Sequence, residues 1–174
     1  EEPAVVIECL NGYRKKEFMP SNCGAFTVPL GKPEITRSGA DMTILSYGST
    51  FNLCTNAADR LSELGIEVEL VDAQTLLPFD IHGVTAESVS RTNRLLIVDE
   101  DVPGGATAYL LDDVLNRQGA WTYLDSQPKT LTAQPHLPAY TSDGDYFSKP
   151  SVDDIVESAY AYMSETDPSR FPII

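Results

Sequence analysis

The sequence predicts an α/β fold, namely a doubly wound, mostly parallel open sheet of about five strands with helices on both faces. From Asp41 onward, strand-like and helix-like segments alternate, which is the pattern of a parallel sheet covered by helices. The segment 94–98 is almost entirely apolar, as expected for a strand that is buried on both faces. With 174 residues, 42% of them hydrophobic, the chain is long enough to build one such domain.

The predicted elements follow in order along the chain. Strands are predicted at 42–47, 66–71, 94–98 and 129–132. A helix is predicted after Gly48, because apolar residues recur at helical spacing from Leu53 to Leu64 and Gly65 suits a left-handed C-terminal position. Further helices are predicted at 84–91, at 106–116 and after Ser151, where Asp154 three residues on completes a capping box.

The two ends of the chain are predicted to lie outside this sheet. Residues 1–40 contain a strand pattern at 4–9 and then many prolines and glycines, which predicts an exit strand from a preceding domain and a linker. The main domain is then 41–165, with an ordered loop at 134–150, and 166–174 is a tail. Because the chain has no initiating Met and opens on an apolar pattern, we expect it to be a piece of a longer polypeptide.

Composition excludes several classes of function. The formal net charge of −14 argues against binding to a nucleic-acid backbone. No apolar run approaches the roughly 20 residues that span a bilayer. Three cysteines without paired spacing predict no disulfide framework and favour a reducing, cytoplasmic location.

Three short motifs have both a functional and a structural interpretation. Gly48-Ser49-Thr50 lies between a strand and a helix, where a phosphate can bind, but N-capping explains it as well. Asp99-Glu100-Asp101 follows a strand and suggests a divalent cation, although we expect these carboxylates to face solvent or the next helix. Asp143-Gly144-Asp145 resembles part of a metal-binding motif, and we favour turns in a surface loop.

Four stretches resemble the beta chains of pyruvate and branched-chain 2-oxo-acid dehydrogenases. They are Val6-Ile7-Glu8 with Tyr13-Arg14, DMTILSYGS from Asp41, VDAQTLLPFD from Val71, and RLLIVDE from Arg94. The chain departs from the family at Cys9, where proline is common, at Asp99, where histidine is common, and at Ala73-Gln74, where Leu-Arg is common. Transketolase and deoxyxylulose-phosphate synthase share this type of C-terminal domain and remain alternatives.

The resemblance implies a non-catalytic C-terminal domain that supports dimerisation and docks the lipoyl acyltransferase core. The parent enzyme would catalyse oxidative decarboxylation of a 2-oxo acid, with acyl transfer to lipoamide. Thiamine diphosphate and Mg²⁺ would be bound by the parent enzyme, and none is expected in this chain. The implied partners are an alpha chain or N-terminal portion of the same enzyme, in a homodimer or a heterotetramer.

Few residues are candidates for a functional role. No catalytic, cofactor-binding or metal-binding residue is assigned, although the resemblance places Arg14 near an active-site mouth, where a structural ion pair is the alternative. The candidate partner-interface residues are Tyr146, Phe147, Phe171, Ile173 and Ile174. Packing onto their own domain is the alternative for these apolar groups. A different class of function is a stand-alone small-ligand-binding module that uses the loops at Gly48 and Gly104.

Overall fold

The computed structural model describes residues 3–16, 18–138, 140 and 144–173, with only the backbone of Leu10, Asn11 and Asp145. Five strands form one sheet in the order β1-β3-β2-β4-β5. The strands are β1 (Glu34–Arg37), β2 (Met42–Ser46), β3 (Val68–Asp72), β4 (Leu95–Val98) and β5 (Lys129–Leu131). Only β1 is antiparallel to its neighbour, and the other pairs are parallel.

Helices cover both faces of the sheet. They are α1 (Gly48–Glu63), α2 (Val84–Thr92), α3 (Ala106–Asp112), α4 (Gly144–Ser148) and α5 (Val152–Thr166). A π-helical turn at Asp113–Arg117 extends α3, and 3-10 turns lie at Leu10–Arg14 and Ala120–Tyr123. One apolar core lies between the sheet and α1 with α5, and a second lies between the sheet and α2 with α3. The predicted fold class is therefore confirmed.

Helix α1 shows how the sequence sets this packing. Cys54, Ala57, Ala58 and Leu61 are completely buried, as their 3.6-residue spacing predicts. Gly65 follows the helix with φ of +79°, a left-handed conformation that glycine adopts without a Cβ penalty. Full burial of a leucine such as Leu61 contributes about 1.5–3 kcal/mol.

Helix α5 begins with the predicted capping box. The Ser151 Oγ accepts a hydrogen bond from the Asp154 N–H at 3.2 Å, and the Asp154 carboxylate accepts one from the Ser151 N–H at 2.8 Å. Such a cap stabilises a helix by about 1 kcal/mol because two backbone donors that would otherwise lack partners are satisfied.

The strand predicted at 4–9 is not formed within this chain, and its assignment as the exit strand of a preceding domain stays a prediction. Residues 3–9 are not in a strand, and the side chains of Val5, Val6 and Ile7 are between 81% and 89% exposed. A strand needs a neighbour that completes its backbone hydrogen bonds, and no described strand pairs with this segment. The β-propensity of the apolar run is therefore not sufficient.

The sheet also begins earlier than the sequence suggested. Strand β1 lies within 1–40, the stretch predicted to be a linker, and pairs with β3 at the sheet edge. Gly39 then lets the chain pass beside β3, since a Cβ there would come within 2.2 Å of the Val68 backbone. The predicted loop at 134–150 likewise contains the short helix α4.

Candidate functional site

The carboxyl ends of β2 and β4 form the switch point of the sheet. β2 and β4 are neighbours, while β3 lies beyond β2 and β5 lies beyond β4. In open α/β sheets, ligands bind outside the carboxyl ends of strands at such a point. The residues placed there are Tyr47 and Gly48, after β2, and Asp99, after β4.

Asp99 is almost completely buried at this edge, with 1% exposure. Its Oδ1 accepts hydrogen bonds from the Tyr47 hydroxyl at 2.7 Å and from the Asp101 N–H at 3.2 Å. Its Oδ2 has no hydrogen-bond partner among the described residues. Burial, together with the hydrogen bond to Asp99 and its negative charge, raises the pKa of Tyr47 well above its ordinary value.

The expectation that the three carboxylates face solvent or the next helix was thus wrong for Asp99, which is buried against Tyr47, whereas Glu100 and Asp101 are exposed. The reason is that Asp99 directly follows the fully buried strand β4 and is held there by Tyr47. Sequence reasoning missed this pair. The positions of Tyr47, at the end of one predicted strand, and of Asp99, directly after another, were the signal that could have found it. Among residues that the structure describes, no cluster of His, Cys, Asp and Glu is suited to a metal ion.

The start of α1 differs from the predicted cap. The helix begins at Gly48 itself, with Tyr47 at the N-cap position, and no side chain there accepts a capping hydrogen bond. Gly48 has φ of +59°, so a residue with a Cβ would be strained at this turn. The tight turn, rather than side-chain capping by Ser49 or Thr50, accounts for the glycine.

A groove of about 670 Å³ runs beside α5 and is called the α5 groove here. Its lining comprises Leu64, Val156, Glu157, Tyr160, Ala161, Ser164, Glu165 and Ile173. The candidate Ile173 is 89% exposed on this groove, so the structure places it where a partner can reach it. The candidate Ile174 lies outside the described residues.

A second cavity of about 320 Å³ lies between β5, α4 and the start of α5, and is called the α4 cavity here. Tyr146 and Phe147 contribute to its lining and are 60% and 71% exposed. Their rings meet edge to face, with centroids 5.6 Å apart. These two interface candidates are therefore brought together at the α4 cavity.

The candidate Phe171 instead belongs to the interior of the domain. It is 3% exposed and packs in the core beside α5, with its ring edge to face against Tyr160 at 6.1 Å. The guanidinium of Arg170 lies 4.7 Å from the centre of the Phe171 ring and also pairs with Asp41. Phe171 is thus not exposed for docking, because its apolar ring completes the core on this face.

The other candidates stay apart from these sites. Arg14 ends a 3-10 turn and is exposed, and its proposed place near an active-site mouth stays a prediction. In the Asp143-Gly144-Asp145 motif, Gly144 begins α4, whereas Asp143 and the side chain of Asp145 lie outside the described residues. No helix in the described ranges is both long and apolar enough to cross a bilayer.

Comparison with solved structures gives the same fold. A structure titled "Split gene transketolase, inactive beta4 tetramer" aligns with a TM-score of 0.64 at 18% identity, covering 82% of this chain and 45% of the other. At this identity the likeness establishes the fold alone.

Comparison of sequences identifies relatives. The beta subunit of acetoin:2,6-dichlorophenolindophenol oxidoreductase from Bacillus subtilis (strain 168) is 36% identical over 79% of this chain and 39% of its own length. The beta subunit of the pyruvate dehydrogenase E1 component from Rhizobium meliloti (strain 1021) is 32% identical over 78% of this chain and 29% of its own length. The beta subunit of 2-oxoisovalerate dehydrogenase from Bacillus subtilis (strain 168) is 31% identical over 80% of this chain and 41% of its own length.

The chain thus spans well under half the length of these relatives, and the similarity covers most of the chain. The resemblance inferred from the four sequence stretches is confirmed. A family model described as "Transketolase, C-terminal domain" matches residues 31–152, which include all five strands. The chain belongs to the transketolase C-terminal domain family.

Proposed function

We propose that this chain is the non-catalytic C-terminal domain of the beta portion of a thiamine-diphosphate-dependent 2-oxo-acid dehydrogenase. The observation that carries the proposal is the similarity, over about four-fifths of the chain, to beta subunits named for pyruvate, 2-oxoisovalerate and acetoin oxidation. The parent enzyme would decarboxylate a 2-oxo acid oxidatively and pass the acyl group to lipoamide.

The described residues of this chain offer no set of ligands that would hold the cofactor of such an enzyme. Thiamine diphosphate is held through a divalent metal, and the described residues form no cluster suited to one. The buried Asp99 offers only one oxygen without a hydrogen-bond partner. We therefore place thiamine diphosphate and Mg²⁺ in other parts of the parent enzyme, and the role of this domain is assembly.

Assembly through this domain has two proposed forms. The first is association with an alpha chain, or with an N-terminal portion of the same enzyme, in a homodimer or a heterotetramer. In the homodimer and in the heterotetramer alike, residues 3–30 would link this domain to the preceding one, with Arg14 near the active-site mouth. The exposed apolar side chains of this segment, including Val6, Ile7 and Phe18, support a contact with protein outside this chain.

The second form is docking of the lipoyl acyltransferase at the α5 groove. The groove is lined mostly by apolar side chains and includes the carboxylates of Glu157 and Glu165, of which Glu165 also pairs with Lys129 at 3.0 Å, so it suits a small basic domain. Ile173 lies on this groove, and Ile174, which follows it in the chain, stays a candidate for the same contact. We propose Tyr146 and Phe147 as a separate contact. A cytoplasmic location also stays a proposal, supported by the absence of paired cysteine spacing.

An activity assay of the complete enzyme tests the proposal, with the full polypeptide that contains this chain combined with its alpha chain where the two are separate. The enzyme is supplied with thiamine diphosphate and Mg²⁺, and reduction of 2,6-dichlorophenolindophenol is followed with pyruvate, branched-chain 2-oxo acids or acetoin. Dye reduction that depends on one of these substrates is expected. Ketol transfer between sugar phosphates without dye reduction would instead favour transketolase, and tight binding of thiamine diphosphate or a nucleotide by the chain alone would favour a stand-alone binding module.

Docking is tested separately with the purified acyltransferase of the same complex. Ile173→Glu places a charge on the α5 groove and is expected to weaken binding in calorimetry by about tenfold, the size of a modest interface contact. Leu77→Glu is the matched control, since Leu77 is 82% exposed in a loop after β3, away from α5. Equal binding by both variants would rule out this groove.

A further inference from the structure

The α4 cavity shares Glu157 with the α5 groove, but the fold and docking at that groove do not explain its acidic lining together with a buried hydroxyl. Three carboxylates line it, those of Asp153, Asp154 and Glu157, against the single ammonium of Lys149. That ammonium pairs with Glu100, which is not part of the lining, at 3.2 Å. The cavity is therefore negatively charged, and its charge is not neutralised from within the lining.

A buried hydroxyl in the same lining has no hydrogen-bond partner among the residues that the structure describes. Ser148 is 3% exposed, and its Oγ makes no hydrogen bond with any described residue. A buried hydroxyl without a hydrogen bond costs about 1–3 kcal/mol, so a ligand that satisfies it gains affinity. This observation is independent of the acidic charge and indicates a hydrogen-bonding occupant.

The lining excludes the simpler occupants. An anion would meet the three carboxylates, and the N-terminus of α5 is already capped by Ser151 and Asp154. A metal ion would need a converging ligand set, and none is found within the ranges described. What remains is an organic cation that carries hydrogen-bond donors.

The aromatic pair narrows the chemistry further. Tyr146 and Phe147 contribute exposed rings to the lining. A planar guanidinium stacks on aromatic faces and donates hydrogen bonds in its plane to carboxylates, whereas an ammonium is a compact, strongly hydrated charge. A cavity of about 320 Å³ is large enough for this group and a short aliphatic stem.

We propose that the α4 cavity is a guanidinium-binding site. In it, Glu157 supplies the charge, Tyr146 and Phe147 supply the stacking face, and Ser148 accepts or donates a hydrogen bond. Asp153 is engaged by Arg60 at 2.6 Å and Asp154 by the capping box, which leaves Glu157 as the carboxylate that responds to the ligand. The guanidinium comes either from a free small molecule or from an arginine side chain of a protein.

The test is a titration of the isotope-labelled chain with methylguanidinium, followed by backbone amide shifts in NMR at constant ionic strength. Saturable shifts are expected at Gln134, Ser148 and Ser151, which line the cavity. Methylurea, a neutral molecule of similar shape, is expected to produce no saturable shift. Shifts spread over the whole acidic surface, or equal binding of methylurea, would overturn the proposal.

Variants assign the binding to the named groups. Glu157→Gln and Phe147→Leu are each expected to weaken methylguanidinium binding by about threefold, the size of a partly exposed ion pair or cation–π contact. Glu63→Gln is the matched control, because Glu63 is exposed on α1 outside the cavity, and its affinity should equal that of the unchanged chain. Both altered side chains are exposed, so loss of folding does not confuse the result. The same affinity in all three variants would contradict the site.

A second titration distinguishes the two sources of the guanidinium. A capped Gly-Arg-Gly tripeptide that binds more tightly than methylguanidinium indicates an arginine of a protein, because the backbone then adds contacts. Tighter binding of methylguanidinium indicates a free guanidine compound. Either result supports the site. If neither probe binds saturably, the proposed site is ruled out.

Discussion

The amino ends and the carboxyl ends of the parallel strands are held in different ways. At the amino ends, the Asp41 carboxylate accepts hydrogen bonds from the Arg170 guanidinium at 2.5 and 3.3 Å and from the Glu67 N–H at 2.7 Å. The Arg94 side chain ties the Asp41 carbonyl to Thr166 at the end of α5. At the carboxyl ends, Asp99 is buried with one oxygen that has no described partner.

The difference separates a structural end from a candidate functional one. At the amino ends, residues of the tail satisfy the polar groups of the sheet, so this end is closed by the chain itself. A buried oxygen without a partner is costly, and such groups concentrate where another molecule acts. The contrast gives four expectations about stability, which follow in order of decreasing effect.

The largest expected change in stability comes from the tail that covers the amino ends of the strands. Phe171→Ala should lower the free energy of unfolding by about 3–5 kcal/mol, because a buried ring is lost and a cavity remains. Chemical denaturation followed by circular dichroism measures this change. Ile173→Ala is the control, with a change within about 0.5 kcal/mol expected for its 89% exposed side chain. Similar small losses in both variants would show that the tail is not part of the core.

The closure also shows what sequence could and could not predict. Periodicity predicted the buried stripe of α1 and the cap of α5, because both depend on residues close together in the chain. It could not decide whether Phe171 packs inward or outward, since its contacts come from Tyr160 and from the core built by distant strands. The segment 4–9 shows the opposite case, because local β-propensity does not supply a neighbouring strand, and its role as the exit strand of a preceding domain stays a prediction.

The candidate sites divide in the same way. Tyr47 ends one predicted strand and Asp99 follows another, so whether they meet depends on the order of strands in the sheet, which the sequence did not reveal. The α4 cavity was even harder to predict from the sequence, because α4 lies in a stretch predicted to be a loop. Tyr146 and Phe147 were recognised as unusual aromatics, whereas the buried hydroxyl of Ser148 carried no sequence signal.

The second expectation is a loss of stability at alkaline pH, caused by the buried thiol of Cys54 near the carboxyl end of β2. Burial raises the pKa of Cys54, which also hydrogen-bonds Ser46, from 9.0 to about 12. The unfolded chain then loses this proton near pH 9 while the folded chain keeps it, so stability present below pH 9 is lost as the pH rises. Between pH 9 and 11 the loss is about 2 kcal/mol, at roughly 1.4 kcal/mol per pH unit.

Denaturation curves at pH 8, 9, 10 and 11 measure this loss. Cys54→Ala is expected to have a shallower dependence on pH, because its contribution disappears while that of Tyr47, whose pKa is also raised, remains. An identical slope in Cys54→Ala and the unchanged chain would mean that Cys54 does not set it.

The third expectation returns to the amino ends. Asp41→Asn keeps the size of the side chain but removes the charge that pairs with Arg170, and should lower the free energy of unfolding by about 1 kcal/mol. The estimate is modest because the Arg170 side chain is about half exposed, and solvent screens the pair. High salt should reduce the difference between the variant and the unchanged chain, and a loss independent of salt would point to the hydrogen bond with the Glu67 N–H instead.

The smallest effect is expected from the corresponding Asp-to-Asn substitution at the carboxyl ends, Asp99→Asn. Its effect on the free energy of unfolding has the opposite sign to that of Asp41→Asn. Asp99→Asn retains an oxygen that can accept the Tyr47 hydroxyl, but it removes a charge whose second oxygen has no described partner. Removing a poorly compensated buried charge is neutral or stabilising, so the free energy of unfolding should stay equal or rise by up to about 1 kcal/mol. Paired denaturation curves of Asp99→Asn and Asp41→Asn measure the contrast. If Asp99→Asn were as destabilising as Asp41→Asn, Asp99 would be a structural group like Asp41, and the carboxyl ends would be closed by the chain itself as the amino ends are.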